Sequence, residues 1–327
     1  MSSEESQASS PKITIQKINN EIIQPMKVYG GSDSRPVLGG NLFPEVYANI
    51  ALIARKKSGK SVCIQKILKS CCGPNTTILA FCSTVNKDSA WISIKKWAEK
   101  KGIAFNAFPS IKEGKVDFLE TFLHRLEDEA AEEGIDSEEE EEREKKGAGK
   151  PKPLNLFGGK ESGSEEDSYS EEDSADEMEM FGDKKVGKGE QRMFDPKRTT
   201  SLRKKEKFQA PEYILVFDDL SHELKMPSLV SLLKKNRHYK VKTVISSQYI
   251  CDLKPESLKQ MDYLLLFKGM TDDKLEKIRK DADVSIDFNV LEKLYHHATK
   301  EPFHFLYIDC RNDLYRNCFD KQYKIEQ

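Results

Sequence analysis

The apolar positions change period along the chain, and the period names the elements. Asn49-Ile50-Ala51-Leu52-Ile53 is a short, nearly all-apolar run, as expected of a strand covered on both faces of a parallel sheet. Lys60 to Cys71 follows with Val62, Ile64, Ile67 and Leu68 at helical spacing. Thr76 to Cys82 predicts a second buried strand. Ser89 to Lys101 predicts a helix with Trp91, Ile94, Trp97 and Ala98 on one face. Ile103 to Phe108 reads as a strand, and Val116 to Leu126 as a helix through Phe118, Leu119, Phe122 and Leu123. The pattern then lapses until Tyr213 to Phe217, a strand ending in Asp218-Asp219. Beyond it come a helix with Leu229, Leu232 and Leu233, a strand over Lys242 to Ser247, a short helix over Pro255 to Met261 and a strand over Tyr263 to Phe267. Helices over Thr271 to Asp281 and Phe288 to Ala298 follow, then strands over Phe303 to Ile308 and Leu314 to Tyr323. Near the start, residues 1–10 read as a disordered tail, and Lys12 to Ile23 alternates as one or two short strands would. Buried strands alternating with helices predict an α/β domain with a mainly parallel sheet and helices on both faces. The expected organisation is a tail with short strands over 1–40, the first half of a core over 41–126, an insertion over 127–210, and the second half with C-terminal elements over 211–327.

Charge explains the gap. The 327 residues carry a formal charge of only −2. Yet between Glu127 and Asp183 acidic residues outnumber basic ones 23 to 6, and Lys184 to Lys207 holds 10 basic and 3 acidic. The remainder is therefore net +8. The segment from about 127 to 210 has too little apolar surface to offset its ordering entropy and is expected to be a disordered insertion, acidic and then basic. Its first turns, Glu127 to Glu133, are compatible with an extension of the preceding helix. The basic remainder suits a polyanion partner and also suits an ordinary soluble domain. Ser137, Ser162, Ser164, Ser170 and Ser174 each have an acidic residue three positions on, a pattern acidophilic kinases favour. The insertion reads either as a solvated linker or as an electrostatic mimic of DNA. Lys184 to Lys207 reads as a DNA-binding arm, a nuclear address or a counterweight.

Several classes are excluded by the same reading. No run of 18 apolar residues occurs, so no membrane span is expected. The Ser/Glu-rich start lacks an apolar signal core, so secretion is not expected. Seven cysteines without a CxxC pair argue against structural zinc and against a disulfide framework. His296 and His297 read as surface residues rather than ligands.

The chemistry concentrates in Ala54-Arg55-Lys56-Lys57-Ser58-Gly59-Lys60-Ser61. It lies between an apolar strand and a helix, the context a phosphate-binding loop needs. Successive backbone N–H groups and the helix N-terminus make an anion cradle. Gly59 lets the backbone approach phosphate, Lys60 reaches the β- and γ-phosphates of ATP, and the Ser61 hydroxyl suits Mg²⁺. Ala54 stands where Gly is usual, and Arg55, Lys56 and Lys57 are bulky and cationic. The Asp218-Asp219 strand end suits Mg²⁺ (Asp218) and polarisation of the attacking water (Asp219), or simply an Asx turn. Gln248, after the Thr243 to Ser247 strand, sits where α/β folds bind ligands. It suits a γ-phosphate sensor or a polar strand end. Arg237 suits an arginine finger for a neighbouring subunit, or a cation at a helix C-terminus.

Together these pieces resemble the genome-packaging ATPases of nucleocytoplasmic large DNA viruses, the poxvirus-type branch of the FtsK–HerA P-loop superfamily. The resemblance covers roughly residues 40–125 and 210–285. It is most specific over Asn236 to Tyr249, where Arg237-His238 precedes a strand ending in Gln248. It implies a RecA-like core and a ring-shaped homo-oligomer that hydrolyses ATP with Mg²⁺. It further implies a motor that pumps double-stranded DNA into a capsid, with a capsid or portal-type protein as partner, in the host cytoplasm and the virion. Two rivals stand beside it: a nucleotide-binding assembly protein with weak or no hydrolysis, and a P-loop small-molecule kinase.

Overall fold

The computed structural model describes residues 33–128 and 207–325. The expected tail, the Lys12 to Ile23 strands, the five serines and the basic run through Glu206 lie outside the described residues. Strand β1 is Asn49–Ile53, α1 Lys60–Cys71, β2 Thr77–Cys82, α2 Ser89–Lys101 and β3 Ala104–Phe108. Two short strands, β4 (Lys112–Glu113) and β5 (Val116–Asp117), pair as a hairpin, and α3 occupies 118–128. After the gap come β6 (Tyr213–Asp218), α4 (Pro227–Lys235), β7 (Val241–Ser247), α5 (Pro255–Leu258) and β8 (Tyr263–Phe267). Then follow α6 (Asp272–Asp281), α7 (Phe288–Ala298), β9 (Phe305–Asp309), β10 (Leu314–Asn317) and β11 (Lys321–Gln322).

Nine strands form one sheet in the order β11-β10-β9-β8-β1-β7-β6-β2-β3. The six strands from β8 to β3 are parallel, and β9, β10 and β11 continue the sheet antiparallel. Every residue of β1, β7 and β8 is buried, which is why these strands read as unbroken runs rather than alternations. Alternate residues serve two cores. Ile50, Leu52, Ile78, Val216 and Val244 meet Ile64, Ile67 and Leu68 of α1 and Trp91 and Ile94 of α2. Ala51, Ile53, Leu79, Phe217 and Ile245 meet apolar residues of α3, α4, α6 and α7 on the other face. The strand that leads into the Gly59-Lys60-Ser61 loop (β1) and the strand ending in carboxylates (β6) are separated by one strand, β7. The architecture is α/β, a mainly parallel sheet with helices on both faces, as expected.

The differences from expectation are local. Val116 and Asp117 lie in the hairpin, because Gly114 takes a positive φ of 61° that ends regular structure there, and the helix starts two residues later. Ser221–Lys225 is a 3₁₀ turn that the sequence period did not show. At the margins of the insertion the chain is ordered. Glu127 accepts from the Tyr239 hydroxyl at 2.6 Å and from Lys235 at 2.9 Å. Gln209 pairs in parallel with Val37.

One interior residue carries an electrostatic cost. Lys242, in the middle of the sheet, is fully buried. Its ammonium donates to the Glu45 carbonyl at 2.7 Å and lies 5.4 Å from the Phe43 ring centre. Burial lowers its pKa. The folded chain therefore binds fewer protons than the unfolded chain between the lowered value and the ordinary one, and this group's contribution to stability rises with pH across that window. Lys242→Met is expected to leave stability at pH 7 unchanged or raise it by about 1 kcal/mol, with the gain shrinking as pH approaches the ordinary lysine range. Urea midpoints of both proteins at pH 7 and pH 10 check this, and a gain that grows with pH would contradict it.

Candidate functional site

The loop between β1 and α1 is built as an anion cradle. Ala54 N–H donates to the Ser247 carbonyl at 2.9 Å, which keeps the loop's first residue in line with the sheet. Ser58 closes a turn on Arg55, its hydroxyl donating to the Arg55 carbonyl at 2.7 Å. Lys57 and Gly59 both take left-handed φ, 64° and 94°. The bulky stretch Arg55-Lys56-Lys57 thus still makes the turn, with the strained residue at Lys57. Gly59 caps α1, no side chain caps that helix, and no acidic residue occupies its first turn. The first N–H groups of α1 have no acceptor within the helix, and the dipole adds positive potential there. The cradle therefore fits an anion, with the backbone of Gly59 to Val62 as donors.

The countercharge arrives from β6. Lys60 is 8% exposed. Its ammonium lies 3.5 Å from Asp218 Oδ1 and is paired more closely with Asp219 Oδ2. Asp218 is buried, and its second oxygen accepts from Trp91 Nε1 at 3.0 Å. Asp219 is the outer of the two, with φ 54° and its N–H on the Ser246 carbonyl at 3.1 Å. That left-handed step bends the chain at the strand end and turns the second carboxylate back over Lys60. The expected carboxylate pair and the loop lysine are thus brought together. Trp91 is an addition: the sequence placed it only on a helix face, and nothing in its spacing showed that its indole would reach a carboxylate 127 positions away.

Gln248 stands just past β7. Ser247 Oγ donates to Asp252 Oδ2 at 2.5 Å and accepts from Tyr249 N–H at 3.2 Å, which holds the chain in a turn after the strand. Gln248 lines a cavity of about 550 Å³, with Ala54, Arg55 and Lys56 of the loop, Tyr249, and Lys268 to Met270 after β8. Ser61, in the first turn of α1, is half-buried. Its hydroxyl and the Asp218 carboxylate are both oxygen donors, the chemistry Mg²⁺ takes.

Arg237 is elsewhere. It precedes β7, at the opposite end of the strands from the loop, and pairs with Asp262 at 3.2 Å. Seven strand residues, about 20 Å, separate it from its own chain's cradle. It does not join this site within one chain. His296 and His297 are exposed, as expected. His296 lies beside Asp272 and Glu292, and His297 shares a hydrogen bond with the Tyr323 hydroxyl.

A further residue shapes the site from behind. Tyr295 is buried on α7. Its hydroxyl accepts from Gly269 N–H and Met270 N–H, both at 2.9 Å, and donates to the Phe267 carbonyl at 2.9 Å. One phenol thereby fixes the loop after β8. That loop lies directly against Arg55, since a Cβ on Gly269 would come within 2.6 Å of the Arg55 side chain. Burial pushes the Tyr295 pKa up, against the backbone donors that lower it.

No family description matches this chain, and no curated protein is similar to it in sequence. Solved structures are similar at the level of fold. One is the genome packaging NTPase B204 from Sulfolobus turreted icosahedral virus 2 in complex with AMP: 14% identity, TM-score 0.43, over 86% of this chain and 100% of that one. The same NTPase in complex with ATP-gammaS gives 16% identity and TM-score 0.42, over 86% and 98%. B204 described as the DNA-packaging ATPase from Sulfolobus turreted icosahedral virus gives 14% identity and TM-score 0.43, over 86% and 98%. Similarity this low says nothing about what the present chain binds.

Tyr295→Phe is expected to cost about 1–3 kcal/mol, because two N–H groups lose a buried acceptor. Hydrogen exchange at Gly269 and Met270 should accelerate more than at Leu265, in the middle of β8. Uniform acceleration across the sheet would show that the hydroxyl serves global stability instead.

Proposed function

We infer that this chain is an ATP hydrolase of the P-loop type that drives double-stranded DNA during packaging of a viral genome. The observation that carries the hydrolase reading is the meeting of Lys60 with Asp218 and Asp219 beneath an uncapped helix N-terminus. A buried lysine held by two carboxylates beside an anion cradle has a clear second state. When a triphosphate enters, the ammonium moves from the carboxylates to the β- and γ-phosphate oxygens, where negative charge develops during transfer. The released carboxylates then face the phosphates. Asp218, fixed by Trp91, and the Ser61 hydroxyl are the groups that would hold Mg²⁺. Bound there, Mg²⁺ would neutralise phosphate charge. Asp219, outermost and solvent-facing, accepts a hydrogen bond from the attacking water and orients it. Gln248, in the turn after β7, would serve as the sensor of the γ-phosphate or of that water. Phosphoryl transfer requires little covalent chemistry of the protein, so these roles are roles of position and charge.

The DNA-moving part of the reading rests on the resemblance over Asn236 to Tyr249 and on the net charge of +8 outside the insertion. Arg237 fits an assembly of several copies. It stands about 20 Å from its own cradle by the strand length and more than half exposed, so a nucleotide it could reach belongs to a neighbouring subunit of a ring. A non-hydrolysing assembly protein is the second reading, favoured by the left-handed Lys57 in a loop without its usual glycine.

Lys60→Ala is expected to abolish ATP turnover with the far-ultraviolet circular dichroism unchanged; turnover that survives sinks the assignment. Asp218→Asn should lower turnover by roughly two orders of magnitude or more and weaken its Mg²⁺ dependence. In the wild type, double-stranded DNA should stimulate hydrolysis, and the stimulation should fade as salt rises, because phosphate contacts release counterions. ATP binding without hydrolysis, with or without DNA, favours the assembly protein.

A further inference from the structure

Glu301-Pro302-Phe303-His304 forms a tight turn between α7 and β9. His304 N–H donates to the Glu301 carbonyl at 3.4 Å. Proline at the second position and a positive φ at the third define the type II form. That third position favours glycine or asparagine. Here it is Phe303, with φ 66°. A bulky residue in this region is an outlier held against local preference. Nor is the side chain recompensed by burial. Phe303 is 67% exposed and, among the described residues, has no ring partner. Its neighbours behave differently: Phe305 stacks into a buried group with Phe267 and Phe319. The strained aromatic is thus the one left in solvent.

Its location gives the reason. The ring lies over Gly59: a Cβ added there would sit 3.2 Å from Phe303 Cδ1. Gly59 is the cap of α1 and part of the phosphate cradle. In the sheet order β9-β8-β1-β7-β6, Asp218 and Asp219 flank the cradle from the β6 side, and the turn before β9 flanks it from the other. A triphosphate in the cradle places its terminal phosphate toward the metal-holding carboxylates. Its ribose and base must then leave on the opposite side, where the Phe303 face is open. Base–aromatic stacking needs an exposed ring with a free face and tolerates any base.

We propose that Phe303 is the platform on which the nucleobase of the bound nucleotide stacks; this rests on the phosphate site described under Proposed function. The platform reads no base edge, so purines of both kinds bind with similar affinity and pyrimidines less well, following stacking area.

The test compares ATP with inorganic tripolyphosphate, which has the phosphates without the base. Calorimetric titration of both, with Mg²⁺ present, is run on the wild type, Phe303→Gly, Phe303→Tyr and Lys60→Ala. Phe303→Gly is expected to weaken ATP roughly ten-fold or more and leave tripolyphosphate unchanged. Its melting midpoint should equal or exceed that of the wild type, because glycine suits φ 66°. Phe303→Tyr should retain ATP affinity. Equal effects of Phe303→Gly on the two ligands, or a lowered melting midpoint, overturn the platform. Lys60→Ala should weaken both ligands. If it weakens neither, the phosphate site itself is wrong, an outcome separable from failure at Phe303.

Discussion

One ammonium group needs a countercharge, and the sheet is arranged to bring it. Lys60 is buried at the start of α1, where leaving a cation unpaired would be costly. Its carboxylates come from a strand more than 150 residues later. They arrive because the parallel registers are level: Ile53 is opposite Ser247, and Asp218 is opposite Ser246. The loop and the acidic strand end thus finish at the same edge with only β7 between them. A slip of one residue in either ladder would turn Asp218 to the other face and strand the lysine. The continuous burial of β1 and β7 makes such a slip expensive, so packing of the two cores secures the electrostatics of the site.

The same edge also carries a group of cations. Arg55, Lys56 and Lys57 are exposed on the loop, and Lys268 and Lys274 line the adjoining cavity, Lys274 lying over the Tyr249 ring at 6.0 Å. Against these stand Asp218 and Asp219, engaged by Lys60, and Asp252, engaged by the Ser247 hydroxyl. These cations favour an anionic partner at this edge. Tyr295 ties down the loop that faces Arg55. A basic edge without such ties would spread by self-repulsion.

Much of this was legible in the chain. The unbroken apolar runs gave strands buried on both faces because β1, β7 and β8 have helices on both sides. The loop with Gly59, Lys60 and Ser61, and the Asp218-Asp219 strand end, stand out by residue type and by position at strand ends, and the fold brings Lys60 against both carboxylates. What stayed hidden depends on distance in sequence. The Trp91 indole on Asp218 and the Tyr295 hydroxyl on Gly269 and Met270 join residues whose local patterns show only an amphipathic helix. The apolar pattern puts Phe303 at the start of a strand. Its aromatic character fits β propensity, but Pro302 before it sets a turn, and the strand begins two residues later. Arg237 shows the converse: its residue type was legible and its place was not. Only the direction of β7 reveals that it stands at the far end of the sheet from the loop.

That far end is also where the long insertion leaves and returns. The last described residues of α3 are anchored there, Glu127 taking hydrogen bonds from Tyr239 and Lys235 that hold its carboxyl below the ordinary range. The chain re-enters through Gln209, which pairs with Val37 and donates to the Arg35 carbonyl at 2.6 Å, and β6 then starts at Tyr213. Glu127 sits beside Tyr239 just before β7, and Gln209 lies just before β6, so both junctions lie at the edge opposite the cradle. The entropic cost of closing a loop grows only with the logarithm of its length. A segment of this size is therefore tolerated as long as its ends are tied, and here they are tied by hydrogen bonds that do not involve the site. Length and charge can vary between those two anchors without moving Lys60, Asp218 or Asp219. Had the same residues been inserted after β1, β6 or β7, they would have displaced the turns that hold the site together. Direction of the strands thus separates two edges with different freedoms: one in which the backbone is constrained residue by residue, and one in which tens of charged residues can be added.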